Sequence, residues 1–242
     1  MTRPVAVIQA RTGSNRLPGK VLEPIEGETS LLAYQCRRLR HIPGIDELVI
    51  ATTESSADDA VASLAEAEGI GVVRGSEEDV LSRFLRVADE TGATTLVRIT
   101  GDSPFRDPAV VAKCLVEHRE HTADYTRPAD GHLPKGLRAE VVETAVLRRI
   151  AQDPDTTSRD REHVTVRIRE NMAAYRVHLV GFPANLHHPE VDLSVDHPDD
   201  LATARSVLAE LNARNWPVDT VHICRLMDEK RGPNASLESL AS

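Results

Sequence analysis

The sequence predicts an α/β fold built on a mostly parallel sheet with helices on both faces. Two observations carry that expectation. Strand-like and helix-like segments alternate through the first half of the chain, which is the pattern of consecutive βαβ units. The 242 residues, 40% of them hydrophobic, are enough for one large α/β domain or two small ones. Aromatic residues make up only 3%, so the core must be mostly Val, Leu, Ile and Ala.

The elements follow in order. The apolar run from Pro4 to Ile8 reads as a first strand, over Val5–Ile8. A helix over Ser30–His41 is stopped by Pro43-Gly44, and Leu48–Thr52 is a strand. A helix over Ala57–Glu68 ends at Gly69, Gly71–Val73 is a short strand, and a helix over Glu77–Thr91 ends at Gly92. Thr95–Thr100 is a strand and Pro108–His121 a helix. Beyond it the pattern is less regular. Tyr125–Pro134 reads as a loop, Glu140–Val142 as a strand, Thr144–Ala151 and Ser158–Glu170 as helices, Tyr175–Val180 and Asp192–Val195 as strands, and Pro198–Leu211 and Val218–Met227 as helices. Residues 1–230 are thus expected to form a single domain, with insertions around 125–190 that serve a substrate lid or a dimer arm. Residues 231–242, rich in Gly, Pro, Ser and Asn, are expected to be a mobile tail.

Charge and cysteine usage narrow the function. A net charge of −9 argues against a general nucleic-acid binder, yet leaves room for a local basic pocket facing an anionic small molecule. Cys36, Cys114 and Cys224 are far apart and odd in number, without a C-x-x-C, so neither structural disulfides nor a thiolate zinc site is expected. A reducing, cytoplasmic setting follows. The chain enters its first strand without an apolar signal segment, and no run approaches the ~18 apolar residues of a membrane span.

In such a sheet, ligands bind at the carboxyl ends of the strands. The first strand feeds Gln9-Ala10-Arg11-Thr12-Gly13-Ser14-Asn15-Arg16-Leu17-Pro18-Gly19-Lys20, a short loop with three cations and two glycines. That composition suits a polyphosphate: cations supply charge and glycines let backbone N–H groups approach the oxygens. It is not a Walker A loop, because five residues separate Gly13 from Gly19 and Val21 follows the lysine. A solvated basic loop remains the alternative. Asp102, after the strand end Thr100-Gly101, is placed to hold Mg²⁺ or to bond its own turn. Asp196 precedes His197-Pro198-Asp199-Asp200; either Asp196 or His197 would cap the next helix, and capping and metal binding can coexist. Ser76 reads as a helix cap with Asp79 three residues on, while Arg74 and Arg83 could reach a nucleotide. His187-His188 looks like a metal pair, but neighbours in an extended chain point apart, so it is read as a loop. Gly-x-Ser-x-Gly and the protein-kinase set are absent.

Taken together, Gln9-Ala10-Arg11…Ser14-x-Arg16-Leu17-Pro18-Gly19-Lys20, Gly75-Ser76-Glu77-Glu78-Asp79-Val80-Leu81-Ser82-Arg83, Arg98-Ile99-Thr100-Gly101-Asp102-Ser103-Pro104, Arg161-Glu162-His163-Val164-Thr165 and Ser194-Val195-Asp196-x-Pro198-x-Asp200-Leu201 occur in order. The chain resembles the spore-coat polysaccharide biosynthesis protein F family of cytidylyltransferases, itself similar to the CMP-sialate and CMP-Kdo synthetases, from about residue 5 to 211. The resemblance implies a Rossmann-like, glycosyltransferase-A-type nucleotidyltransferase fold with a mixed, mostly parallel sheet. It implies Mg²⁺-dependent transfer of CMP from CTP to an anionic acceptor, with release of pyrophosphate, in surface-glycan or secondary-metabolite biosynthesis, and a homodimer. No nucleic acid or membrane partner is implied.

Carried onto this chain, the triphosphate would lie on Arg11, Gly13, Ser14, Arg16 and Lys20, with Gln9, Ala10 and Thr100 beside the nucleotide. Thr52, Arg74, Ser76 and Asp79 would be near base and ribose. Asp102 and Asp196 would hold Mg²⁺, and Arg11, Lys20 and Asp102 would carry the chemistry. Arg138, Glu140, His163 and Asp192 would face the acceptor. The chain departs from the family where Gly136-Leu137-Arg138-Ala139-Glu140 carries arginine in place of an expected acid, and Asp192 stands in place of an expected arginine. Either a structural ion pair has exchanged its ends, or Arg138 grips a different acceptor. A glycosyltransferase using a nucleotide sugar and a non-catalytic nucleotide-binding protein are the rival readings.

Overall fold

The computed structural model describes residues 2–231. The chain runs β1 (Pro4–Gln9), β2 (Pro24–Glu26), β3 (Thr29–Ser30), α1 (Leu31–Leu39), β4 (Glu47–Thr53), α2 (Asp59–Ala67), β5 (Gly71–Gly75), α3 (Val80–Thr91), β6 (Thr95–Thr100), α4 (Pro108–Glu120), β7 (Tyr125–Pro128), β8 (Glu140–Glu143), α5 (Thr144–Gln152), α6 (Ser158–His163), α7 (Val166–Glu170), β9 (Val177–Val180), α8 (Pro198–Ala213) and α9 (Thr220–Arg231). The main sheet has seven strands in the order β5-β4-β1-β6-β8-β7-β9, and β2-β3 form a separate small hairpin. β4, β5 and β6 run parallel to their neighbours around β1, β8 is antiparallel to both β6 and β7, and β9 is parallel to β7.

Alternation along β1 explains the layers. Ala6 and Ile8 point into an apolar cluster with Leu32, Cys36, Val111 and Leu115, beneath α1 and α4. Val5 and Val7 point to the opposite face, against Leu81, Phe84, Leu147 and Ile150 of α3 and α5. All four β1 residues are fully buried, as expected for a strand covered on both sides. A third cluster joins α8 and α9 to Leu31, Phe105 and Leu193. The three cysteines are free and buried, and burial pushes each thiol up to about 12. No helix among the described residues is long and apolar enough to cross a membrane.

The chain leaves β1 toward β4 on one side and reaches β6 on the other, so strand order reverses between β1 and β6. Gln9 and Thr100 stand opposite each other at the carboxyl ends of these strands. A crevice is expected at that switch point.

Several elements differ from the sequence expectation. Tyr125–Pro128 is a strand, not a loop, because its ladder partners, Val141–Val142 and Val177–Val180, lie outside the local window of sequence. The helix expected over Ser158–Glu170 is two helices, broken at Val164, whose φ is +54°. Asp192–Val195 forms only an isolated bridge with Lys135. The third helix starts at Val80: Asp79, not Ser76, is its cap and accepts from Ser82 N at 2.8 Å. Ser76 Oγ instead accepts from Asp79 N at 3.1 Å. Of the expected tail over 231–242, only Arg231, at the end of α9, is described; the rest lies outside the described residues.

Gly136 makes the segment after β7 possible. Its φ is +91°, and a Cβ there would sit 2.8 Å from Leu193 C and 2.9 Å from Ser194 N. Gly136→Ala is therefore expected to destabilise the fold by roughly 2 kcal/mol or more, from left-handed strain and backbone collision together. Thermal unfolding tests this, and an unchanged Tm would contradict the close approach.

Candidate active site

The loop after β1 is pinned from below by Asp58, a buried residue ahead of α2. Asp58 Oδ1 accepts from Thr12 N and Thr12 Oγ1, both at 2.7 Å, and its other oxygen accepts from Thr53 Oγ1. Burial by itself would raise the Asp58 carboxyl, but these donors outweigh it and hold the group below the usual carboxylate range. Arg11 meets Glu77 at 3.2 Å across the loop mouth.

A second anchor orders the turn after β6. Gln35 of α1, fully buried, donates to Thr100 O at 3.0 Å and Ser103 O at 2.8 Å. Gly101 is needed there, since a Cβ would meet Ala10 Cβ at 3.0 Å and Gln9 O at 3.1 Å. Asp102 then projects toward the segment before α8, whose Val195 N donates to Asp102 O at 2.8 Å. His197 is the cap residue of α8 and Pro198 opens the helix. Asp200 accepts from the backbone N–H groups of Asp196 and His197, at 2.9 and 2.7 Å. The Asp196 side chain is left for cations.

Lys20 joins these parts. Its ammonium lies 2.9 Å from Asp196 Oδ1 and 3.4 Å from Asp102 Oδ2, and donates to Val195 O at 2.8 Å. Arg16 adds a 2.8 Å contact to Asp196. Burial raises the Asp196 carboxyl, but the bond from Lys20 and the charges of Lys20 and Arg16 prevail, leaving it low. The two carboxylates thus already share one cation. Among the described residues no set of three or more His, Cys, Asp or Glu converges, so a metal here would take two protein carboxylates and complete its shell from phosphate and water. That donor set suits Mg²⁺, which binds through one or two carboxylates plus substrate phosphates.

Two cavities meet at these aspartates. The first, about 380 Å³, is lined by Gln9, Ala10, Arg11, Gly13, Ser14, Arg16 and Lys20 of the loop, by Val80 and Arg83 of α3, and by His163. The second, about 520 Å³, is lined by Arg98, Arg106, Arg127, Arg138, Glu140 and Arg169 among others. Thr100, Asp102 and Asp196 line both.

Four of the residues expected near base and ribose do not line the first cavity. Thr52 is fully buried. Arg74 clamps the β4 end through Thr53 O (2.8 Å), Ser55 O (2.7 Å) and Asp59 (2.7 Å). Ser76 and Asp79 serve the start of α3, and Asp79 also pairs with Arg161 at 2.8 Å. The wall belongs instead to Val80 and Arg83, whose guanidinium is buried and lowered by that burial and by nearby Arg11. His163, expected at the acceptor, borders the first cavity and not the second.

The exchanged ion pair does not form. Asp192 pairs with Lys135 at 2.7 Å, its bridge partner, and borders neither cavity. Arg138 donates its Nε to Leu133 O at 3.1 Å and lines the second cavity. Asp58 and Gln35 were not found from sequence. Each is an ordinary helix or turn residue by pattern, and its partners lie 46 and 65–68 positions away.

Glu140 is the hub of the second wall. It accepts from Arg98 at 2.6 Å, Tyr125 OH at 2.5 Å and Thr165 Oγ1 at 3.0 Å. Burial pushes its carboxyl up, but Arg98 and the hydrogen bonds win and bring it to about 2. A depressed folded pKa stabilises above the unfolded value of ~4.5 and is lost as pH falls from there toward 2. Glu140→Gln is therefore expected to cost about 3 kcal/mol at neutral pH by stranding Arg98, and to flatten the acid limb of stability between pH 4.5 and 2. Urea unfolding across that range checks it; identical acid limbs would contradict the assignment.

Comparison with known proteins shows the family by sequence and the fold by structure. Residues 5–213 match the family model described as cytidylyltransferase. The spore coat polysaccharide biosynthesis protein SpsF of Bacillus subtilis is 34% identical over 236 residues, covering 96% of both chains. A cytidylyltransferase structure from Leptospira borgpetersenii superposes with a TM-score of 0.85 at 23% identity, over 96% of each chain. The structure of CMP:2-keto-3-deoxy-manno-octonic acid synthetase complexed with CTP superposes with a TM-score of 0.63 at 19% identity, over 86% of this chain and 99% of that one.

Proposed function

Since this chain belongs to the cytidylyltransferase family and is a CTP-dependent nucleotidyltransferase, we propose that it transfers CMP from CTP to an anionic small-molecule acceptor, a sugar acid, phosphate or phosphonate, and releases pyrophosphate. The product would feed a surface glycan or a secondary metabolite. The observation that carries this reading is the meeting of two cavities at Thr100, Asp102 and Asp196. A nucleotide in the first cavity and an acceptor in the second would then face each other over the same two carboxylates.

In this reading the triphosphate lies along Arg11, Ser14, Arg16 and Lys20. Val80 and Arg83 bound the nucleoside. An acceptor oxygen attacks the α-phosphorus in line, the bond to the bridging oxygen of the β-phosphate breaks, and pyrophosphate departs with that electron pair. Arg16 and Lys20 offset the charge that builds on the leaving group, which is where fixed cations lower the barrier most. Asp102 and Asp196 would hold Mg²⁺, which when bound neutralises phosphate oxygens and draws electron density from phosphorus. A hydroxyl nucleophile would shed its proton to solvent or a nearby base; a phosphate or phosphonate oxygen has none to lose.

Pyrophosphate release and calorimetric nucleotide binding test the reading. CTP should bind in preference to UTP, ATP and GTP. Asp102→Asn should lower kcat/KM by roughly 100-fold or more, and a chelator should abolish turnover reversibly. Preference for a nucleotide sugar, or turnover without pyrophosphate, would refute the proposal.

Lys20→Met removes the cation that the two aspartates share. Weaker CTP binding, by roughly tenfold, is expected together with greater mobility of the residue 196 segment in hydrogen exchange. An unchanged CTP affinity would remove Lys20 from the triphosphate site.

A further inference from the structure

The second cavity holds more positive charge than its own acids offset. Arg98 is matched by Glu140 at 2.6 Å and Arg127 by Asp130 through two bonds of 2.6 Å. Lys135 is matched by Asp192. Arg169 reaches Glu140 only at 3.8 Å, and that carboxylate is already held by Arg98. Asp102 and Asp196 are engaged by Lys20 and Arg16. Among the described residues, Arg106 and Arg138 have no carboxylate within ion-pair distance.

Arg106 is the stronger observation. It is only 5% exposed, yet it lines the cavity. Its Nε has no hydrogen-bond partner, and its terminal nitrogen reaches Thr100 Oγ1 at a marginal 3.4 Å. Burial lowers this guanidinium to about 10, which leaves it charged at neutral pH. Arg127, on the same cavity, likewise carries a buried Nε without a partner. A buried, charged donor without an acceptor is costly, and folded proteins rarely keep one unless something else supplies the acceptor. Arg138, half-buried, donates its Nε to Leu133 O and turns to the same space.

We infer that the second cavity is built for an acceptor carrying a phosphoryl group, as a phosphate ester or a phosphonate, seated on Arg106 and Arg138. Two guanidinium groups without an ion-paired carboxylate suit a ligand of about two negative charges, and their forked donors match paired phosphoryl oxygens. A carboxylate would satisfy half of that charge. This inference rests on the nucleotidyl-transfer reading, because the phosphoryl group must share the site with CTP.

The test is calorimetric, on the full chain with Mg²⁺, after the nucleotide cavity has been saturated with α,β-methylene-CTP, which cannot transfer CMP. Methyl phosphate, methylphosphonate and acetate are then titrated. The methyl phosphoryl compounds should bind at least about tenfold more tightly than acetate, and the tighter of the two identifies the ester or the phosphonate as the source. Arg138→Ala should weaken that binding by about tenfold, with Arg138→Lys in between, while the affinity for α,β-methylene-CTP stays within about twofold. Arg138 is partly exposed, so its variants are expected to fold. Equal binding of acetate, or phosphoryl binding indifferent to Arg138→Ala, would overturn the subsite and leave the nucleotide reading standing. Failure of α,β-methylene-CTP to bind would overturn that reading, and this inference with it.

Discussion

The arrangement of this molecule turns on one ammonium group. Lys20 Nζ is held by Asp102, Asp196 and the Val195 carbonyl, and so ties together the loop after β1, the turn after β6 and the entry to α8. These segments are 82 and 94 residues apart along the chain. Two carboxylates at such close quarters would repel each other without a cation between them. Lysine supplies it within the folded chain, and in the proposed reaction the same charge would face the triphosphate.

Rigid supports surround that group. Asp58 fixes Thr12 and Gln35 fixes the carbonyls of Thr100 and Ser103. Both are buried polar side chains with specific donors or acceptors, which is the kind of group that specifies a single arrangement at small net energy. The sheet gives these supports their frame: strand order reverses between β1 and β6, and the two loops therefore leave adjacent strands in diverging directions.

The two walls of the crevice differ in chemistry. One side is a cationic loop, pinned by Asp58, whose charges are met by Glu77 and Asp196. The opposite side is a set of arginines locked by Glu140 and Asp130, with Arg106 and Arg138 left over. That surplus, not the total charge of −9, is what an acceptor seated in the second cavity would meet. A protein of net negative charge thus keeps a locally basic cavity.

Local pattern was enough for much of this. The apolar run of β1, the Gly stops after α2 and α3, and the Arg11 to Lys20 loop follow from residue type and spacing, and the main-sheet strands of the first half lie within a residue or two of their expected bounds, while the small β2-β3 hairpin was not expected. The sequence by itself also determined the family, because five ordered motifs survive translation into any structure. What it did not determine are relations between distant residues. Tyr125–Pro128 became a strand only because β8 and β9 flank it, and Val164 broke a continuous helical pattern with a left-handed turn that no local rule requires. Arg138 and Asp192 suggested a pair by exchanged charge, yet the bridge register gave Asp192 to Lys135 and turned Arg138 to the cavity. Periodicity and composition are short-range properties, so they fix elements and loops. Which carboxylate meets which cation is set by the packing of segments about a hundred residues apart, and only the tertiary structure decides it.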